Sequence, residues 1–242
     1  MLITLEGGDG AGKTTALPVI AEMIKSITGR DVVQTKEPGG TPLGAKLREL
    51  LLSDKEGMTR TAELLLMMAD RAQHVQQVIE PALERGGIVL CDRYIDSTFA
   101  YQGYGRGHEI ELIHQLNEIS TGGLKPFLTL LFDVSIETGL ARATVKTKFE
   151  GLGREFQERV LLGFREAARQ NPDRFRVVDA NQSFDDVIDE VRGHLVSALI
   201  PGLTETGRTS SYAEDLAKME DETFLKLLDA AVEQGSPLRS DP

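Results

Sequence analysis

Gly7-Gly8-Asp9-Gly10-Ala11-Gly12-Lys13-Thr14 spells the pattern GxxxxGKT, and its surroundings decide the fold. A short apolar run, Leu2 to Leu5, precedes it, and a helical pattern through Ile20 and Met23 follows. Strand, loop and helix in that order are what a phosphate-cradling loop requires. Glycines let successive backbone N–H groups turn toward an anion with no Cβ in the way. The helix N-terminus adds partial positive charge. Lys13 supplies a mobile cation for the terminal phosphates, and Thr14 offers its hydroxyl to Mg²⁺. Together with Thr15, these residues form the expected site for a nucleoside triphosphate.

Five apolar runs read as strands: Leu2–Leu5, Val32–Thr35, Ile88–Cys91, Phe127–Phe132 and Phe175–Val178. Three are almost continuously apolar, as parallel strands covered on both faces should be. Helical patterns alternate with them, at Thr61–Leu83, Glu137–Val145, Arg154–Ala168 and Phe184–Leu199. The expected fold is α/β: a three-layer, doubly wound sheet of five parallel strands with helices on both faces and a short lid at about 142–154. Pro201-Gly202 breaks the last helix, so the chain divides into a body over 1–202 and an extension over 203–242. In the extension Leu216, Met219, Phe224, Leu227, Leu228 and Ala231 share one face of a helical appendage. Its final residues, Gly235–Pro242, read as frayed.

The chain has 242 residues and a formal net charge of −11, which argues against broad nucleic-acid binding. Nine acidic and four basic residues put −5 of that charge in 203–242. No apolar stretch approaches the roughly 18 residues that a membrane span needs. The first strand begins almost at Met1 and leaves no room for a signal peptide. One cysteine, Cys91, excludes an internal disulfide and suits a reducing cytoplasm. Its apolar neighbours predict a buried structural thiol. His74, His108, His114 and His194 show no metal-ligand spacing.

A phosphate loop alone does not separate a kinase from a GTPase, a motor or a transporter ATPase. The guanine-reading Asn-Lys-x-Asp pattern is absent from the sequence. More telling is Cys91-Asp92-Arg93-Tyr94-Ile95-Asp96-Ser97-Thr98-Phe99-Ala100-Tyr101-Gln102-Gly103. Asp92 ends a buried strand beside the loop, where it can hold Mg²⁺ through water or orient an attacking oxygen. Arg93 can form a bidentate pair with a phosphate; a strand-end salt bridge is the plainer alternative.

The chain resembles the thymidylate kinases. The resemblance rests on the phosphate loop, on Lys36-Glu37-Pro38-Gly39-Gly40-Thr41-Pro42-Leu43-Gly44, on Ala69-Asp70-Arg71-Ala72-Gln73-His74 and on the Asp92–Gly103 segment. It spans roughly residues 1–200. It implies transfer of a phosphoryl group from ATP to dTMP with Mg²⁺ held by Thr14, Asp92 and Asp9. By the same resemblance, Arg93 grips the acceptor phosphate and Arg71 meets the thymine carbonyl edge. Thr98, Tyr101 and Gln102 complete the pocket, with Tyr101 crowding any 2′-hydroxyl. Asp9 reaches the sugar 3′-hydroxyl or a metal-bound water. Glu37, Pro38 and the following glycines shape the acceptor site, with Arg48 as a second phosphate ligand. A cis bond is available before Pro38. Plainer readings stay open: an ordinary ion pair for Arg71, packing for Tyr101 and Gln102, and a solvated helix face for Arg48.

Two positions depart from the family pattern. Met67 stands where a phenylalanine normally stacks on the thymine ring, and a thioether adapts to a π-face rather than fixing its plane. The phosphate loop has Gly10-Ala11 where one family branch carries an arginine, which shifts that role to the lid. There, Arg142, Lys146, Lys148 and Arg154 are the available cations, and Phe149-Glu150 matches an aromatic–acid pair that contacts substrate. Lysine neutralises charge but lacks the planar fork of arginine. The expected activity is therefore dTMP to dTDP. A kinase for an altered deoxypyrimidine monophosphate and a nucleotide-binding regulator with weakened catalysis are the alternatives. The family commonly forms homodimers, for which Thr61–Leu83 is the candidate face; a partner for the extension is left unidentified.

Overall fold

The computed structural model describes residues 1–53, 57–142 and 150–200. In chain order they form β1 (Leu2–Gly7), α1 (Lys13–Thr28), β2 (Val32–Lys36), α2 (Pro42–Leu52), α3 (Arg60–His74), α4 (Glu80–Glu84), β3 (Ile88–Asp92) and α5 (Ile95–Thr98). Then follow α6 (Ile110–Thr121), β4 (Leu128–Asp133), α7 (Ile136–Arg142), α8 (Arg154–Gln170), β5 (Phe175–Asp179) and α9 (Phe184–Leu199). Wide π-helical turns at Val75–Ile79 and Phe99–Gly105 link α3 to α4 and follow α5. The lid residues Lys146, Lys148 and Phe149, and the extension 203–242, lie outside the described residues.

All five strands are parallel, in the order β2-β3-β1-β4-β5. The adjacent strands β1 and β3 lead into crossovers that run in opposite directions, β1 to β2 and β3 to β4. The crevice at their carboxyl ends is the usual ligand site of such sheets. Side chains alternate across the sheet as the pleat demands. Ile3, Leu5, Ile88, Leu90, Leu130 and Val178 pack under α1 and α9. On the other face, Leu131 and Phe175 meet α3, α6 and α8, while Leu2, Val89 and Cys91 meet the Val75–Ile79 turn and Tyr94. Cys91 is buried, as its neighbours predicted.

Each strand runs one or two residues beyond its apolar run, into Gly7, Lys36, Asp92, Asp133 and Asp179. Ladder hydrogen bonds continue there because the backbone needs partners whatever the side chain. Phe127 precedes β4 and is half exposed, so an aromatic residue at the start of a run did not mark the strand. The Thr61–Leu83 pattern is one helical rod with a widened turn. Pro81 has no N–H to give the residue four before it, and its ring would crowd that carbonyl. The wide turn over Val75–Ile79 lies where that mismatch falls.

Helix α8 packs very closely on the Phe99–Gly105 turn. A Cβ at Gly163 would lie 2.8 Å from the Ala100 Cα and 3.0 Å from the Tyr104 Cβ. Gly163→Ala should therefore cost about 1–3 kcal/mol by overpacking and lower Tm by about 3–10 °C. Gly193→Ala, on α9 with nothing within 4 Å, should hold or raise Tm through helix propensity. Thermal unfolding of both variants checks the contrast.

Candidate active site

The phosphate loop leaves β1 and enters α1 through two glycines that L-residues would not tolerate. Gly10 has φ 75°, and a Cβ there would fall 2.1 Å from the Gly139 carbonyl oxygen of α7. Gly12, at φ 86°, caps α1 with no side chain closing the first-turn N–H groups, which stay available to an anion. Buried Lys13 turns its Nζ back onto the Gly7 and Gly8 carbonyls, at 2.9 and 2.8 Å. Burial, with Arg93 adding to it, lowers the Lys13 pKa to about 8.

Thr14 Oγ1 donates to Asp92 Oδ2 at 3.0 Å, while Asp92 Oδ1 is buried without a hydrogen-bond partner. An orphaned carboxylate oxygen beside a threonine hydroxyl fits a hard divalent cation that takes one or two protein oxygens and completes its shell with phosphate and water. Among the described residues no group of three or more His, Cys, Asp or Glu side chains gathers as a metal cage.

A cleft of about 110 Å³ opens beside the loop. It is lined by Asp9, Glu37, Pro38, Arg48, Met67, Arg71, Arg93, Thr98 and Tyr101, all expected from the sequence, and by Leu51, Leu52, Asp70, Tyr94 and Ser97, which were not. Arg71 is buried. Its Nε donates to Glu37 Oε2 at 2.8 Å, Nη1 to Thr98 Oγ1 and Asn117 Oδ1, and Nη2 to the Tyr94 carbonyl. These bonds use four of the five N–H groups of a guanidinium and leave one on Nη2 for the cleft. The ion pair anticipated for Arg71 thus exists, with Glu37 as its partner. The Glu37–Pro38 bond is cis. Arg48 Nη1 donates to the Pro38 carbonyl at 2.8 Å, so it faces the cleft rather than a solvated surface.

Arg93 is aimed at the phosphate loop. Its Nη2 donates to Asp9 Oδ1 at 2.5 Å and its Nη1 to the Gly7 carbonyl at 3.0 Å. The guanidinium lies 5.1 Å from the Tyr101 ring centroid. Burial lifts the Tyr101 phenol far above its ordinary range, so it stays neutral.

Other placements departed from expectation. Gln102 stands behind Met67 instead of lining the cleft: its Nε2 donates to Glu63 Oε1 at 2.8 Å and to Met67 Sδ at 3.4 Å. Arg142 donates to the carbonyls of Ala180 and Gln182, at 2.5 and 3.1 Å, and so lies on the β5–α9 loop. Glu150 opens a single 3₁₀ turn before α8. His74, one of the four histidines without metal-ligand spacing, holds the site together. Its Nδ1 is 2.9 Å from Glu37 Oε1 and its Nε2 is 2.6 Å from Thr35 Oγ1. Asp70 accepts the Gly39 N–H at 3.0 Å, and burial followed by Glu37 raises its pKa to about 6. Both residues lay inside a quoted sequence block, yet nothing in that block says which carboxylate each would face.

A central parallel sheet, a phosphate loop and a separate charged cleft within reach of it define a nucleoside monophosphate kinase. The particular kind follows from three comparisons. The thymidylate kinase family model matches residues 5–191. A thymidylate kinase of Desulfovibrio desulfuricans is 46% identical over 82% of this chain and 96% of its own, and one of Ectopseudomonas mendocina 49% over 86% and 98%. The solved thymidylate kinase of Ehrlichia chaffeensis aligns with TM-score 0.67 and 39% identity, covering 81% of this chain and 98% of its own. The chain belongs to the thymidylate kinase family.

Because Lys13 titrates near pH 8 while free, a bound polyphosphate should hold its proton to higher pH. Association with ATP should then be flat below about pH 8 and weaken above it, by at most about tenfold per pH unit. Calorimetry in buffers of different ionisation enthalpy should show little proton uptake at pH 7 and nearly one proton at pH 9.5.

Proposed function

We propose that the protein transfers the γ-phosphoryl group of ATP to dTMP, giving dTDP by direct in-line displacement. The observation that carries this reading is the Arg93–Asp9 pair, which spans the seam between the phosphate loop and the cleft. An acceptor phosphate entering there would replace Asp9 on Arg93 with a bidentate, charge-assisted contact. Asp9 would then be free for the sugar 3′-hydroxyl or a metal-bound water. Lys13 would exchange its two loop carbonyls for phosphate oxygens. Mg²⁺, when bound, would neutralise phosphate charge, and Thr14 and Asp92 are the residues that would hold it. Positioning and electrostatics supply most of such a catalysis, so no covalent intermediate is required. Arg93→Ala should lose more than about 2 kcal/mol of transition-state stabilisation. An unchanged kcat/KM for dTMP would remove Arg93 from the acceptor site.

Arg71, presenting its remaining N–H to the cleft, supports recognition of a pyrimidine carbonyl, with Thr98 and Tyr101 beside it. Met67 in the cleft wall favours one second reading, a kinase for a 5-substituted deoxypyrimidine monophosphate. A panel of dTMP, dUMP, dCMP, dGMP and 5-substituted dUMP decides between them: dTMP should give the highest kcat/KM, and a higher value for another member would reverse the assignment. Release of ADP in a coupled assay would set aside a regulator without transfer. Arg142, on the β5–α9 carbonyls, would have to leave them to act as a lid cation.

The homodimer finds support in exposed apolar residues on neighbouring helices, Leu65 on α3 with Leu112 and Ile119 on α6. Sedimentation should show a dimer for the native chain and a monomer for Ile119→Glu. A buried, protonated Cys91 is consistent with the cytoplasm as its compartment.

A further inference from the structure

Glu6, the residue before Gly7 in β1, buries its carboxylate completely beneath the phosphate loop, yet no step of the reaction uses it. Its Oε1 accepts the Tyr94 backbone N–H at 2.8 Å, and its Oε2 accepts the Ser97 hydroxyl at 2.6 Å. Both partners flank Arg93 in space. Among the described residues Arg93 is the only one other than glycine with positive φ, at 71°. An arginine does not hold the left-handed region unaided, because its Cβ crowds the following carbonyl oxygen. Three hydrogen bonds over-determine it here. The Arg93 N–H donates to the Leu5 carbonyl at 2.9 Å, and the Arg93 carbonyl accepts the Cys91 thiol at 3.1 Å. The third is the next N–H, that of Tyr94, on Glu6.

The second oxygen of Glu6 acts on the side chain of Arg93. The Ser97 hydroxyl gives its proton to Glu6 and accepts from Arg93 Nη1 at 3.2 Å. A carboxylate is required because it accepts at both ends; an amide has only one acceptor oxygen. We propose that Glu6 is a positioning residue, which keeps Arg93 in its left-handed conformation through the Tyr94 N–H and aims its guanidinium into the acceptor cleft through the Ser97 hydroxyl. The buried thiol of Cys91 has a part in the same clamp, as a donor rather than a nucleophile.

The inference rests on Arg93 meeting the acceptor phosphate, so the experiment separates the two claims. Steady-state kinetics and Tm are measured for the native enzyme, Glu6→Gln, Ser97→Ala, Arg93→Ala and the Glu6→Gln/Arg93→Ala pair. Burial, then Asp96, raises the Glu6 pKa to about 7, so all are compared at pH 8, where the carboxylate form dominates. Glu6→Gln should raise KM for dTMP about tenfold and Ser97→Ala about threefold, as expected for losing a hydrogen bond in a charged relay, with KM for ATP within about twofold of native. In the Arg93→Ala background, Glu6→Gln should add less than about twofold.

A merely structural Glu6 would lower Tm and the active fraction while leaving KM for dTMP unchanged, and that result overturns the proposal. So does a full tenfold effect in the Arg93→Ala background. If Glu6→Gln does not fold, Ser97→Ala decides: a native KM for dTMP refutes the relay. If Arg93→Ala itself keeps its KM for dTMP, the acceptor role of Arg93 fails, and the positioning role fails with it.

Discussion

Parallel pairing of β1 with β3 is the constraint on which the site depends. The register sets Leu5 opposite Asp92, so β3 ends level with Leu5 while β1 runs on through Glu6 to Gly7. The chain leaving β1 becomes the phosphate loop, and the chain leaving β3 becomes Arg93. The ladder even continues one step past the strand, through the Arg93 N–H on the Leu5 carbonyl. A slip of one residue would turn Asp92 to the other face of the sheet and part it from Thr14. Donor and acceptor chemistry are brought together by backbone hydrogen bonds before any side chain takes part.

The cleft then has to keep ions out of water. Glu37 illustrates how this is achieved: one oxygen faces Arg71 and the other His74, at 2.8 and 2.9 Å. Buried charges are tolerable when each is paired and hydrogen-bonded, and removing one partner strands the other at a cost of about 3–5 kcal/mol. The network comes from five segments: the end of β2, the end of α3, Tyr94 after β3, Thr98 on α5 and Asn117 on α6. It acts as a rigid wall for the cleft. Arg93 and Asp9, by contrast, are partly exposed and poised to exchange partners. A fixed wall facing a convertible pair is an arrangement suited to admitting an anion without rebuilding the core.

Much of this was legible in the chain. The GxxxxGKT pattern placed the loop, and apolar runs between helical patterns placed all five strands and the sheet type. The family resemblance pointed to nine of the residues that line the cleft, seven of them inside its four blocks. Gln102 and Arg142 show the limit of such reading. Both have the right chemistry for their expected roles, yet Gln102 supports Met67 from behind and Arg142 rests on a neighbouring loop. A motif specifies residue type and spacing, whereas the direction of a long side chain depends on which acceptors the packed chain leaves nearest. Glu63 was missed for that reason. It buries its carboxylate against Gln102 and Arg106, some forty residues away.

The residue order settles local matters: where the backbone needs φ that only glycine supplies, which runs are apolar enough to be covered on both faces, and which residues carry phosphate-binding chemistry. Those properties act over a few residues and can be read one segment at a time. Which charge pairs with which depends on how the packed chain brings distant segments together. Glu6 with Ser97, Glu37 with His74 and Thr14 with Asp92 lie 91, 37 and 78 residues apart. Contacts at that range depend on the strand order and register of the sheet, and no single segment carries that information.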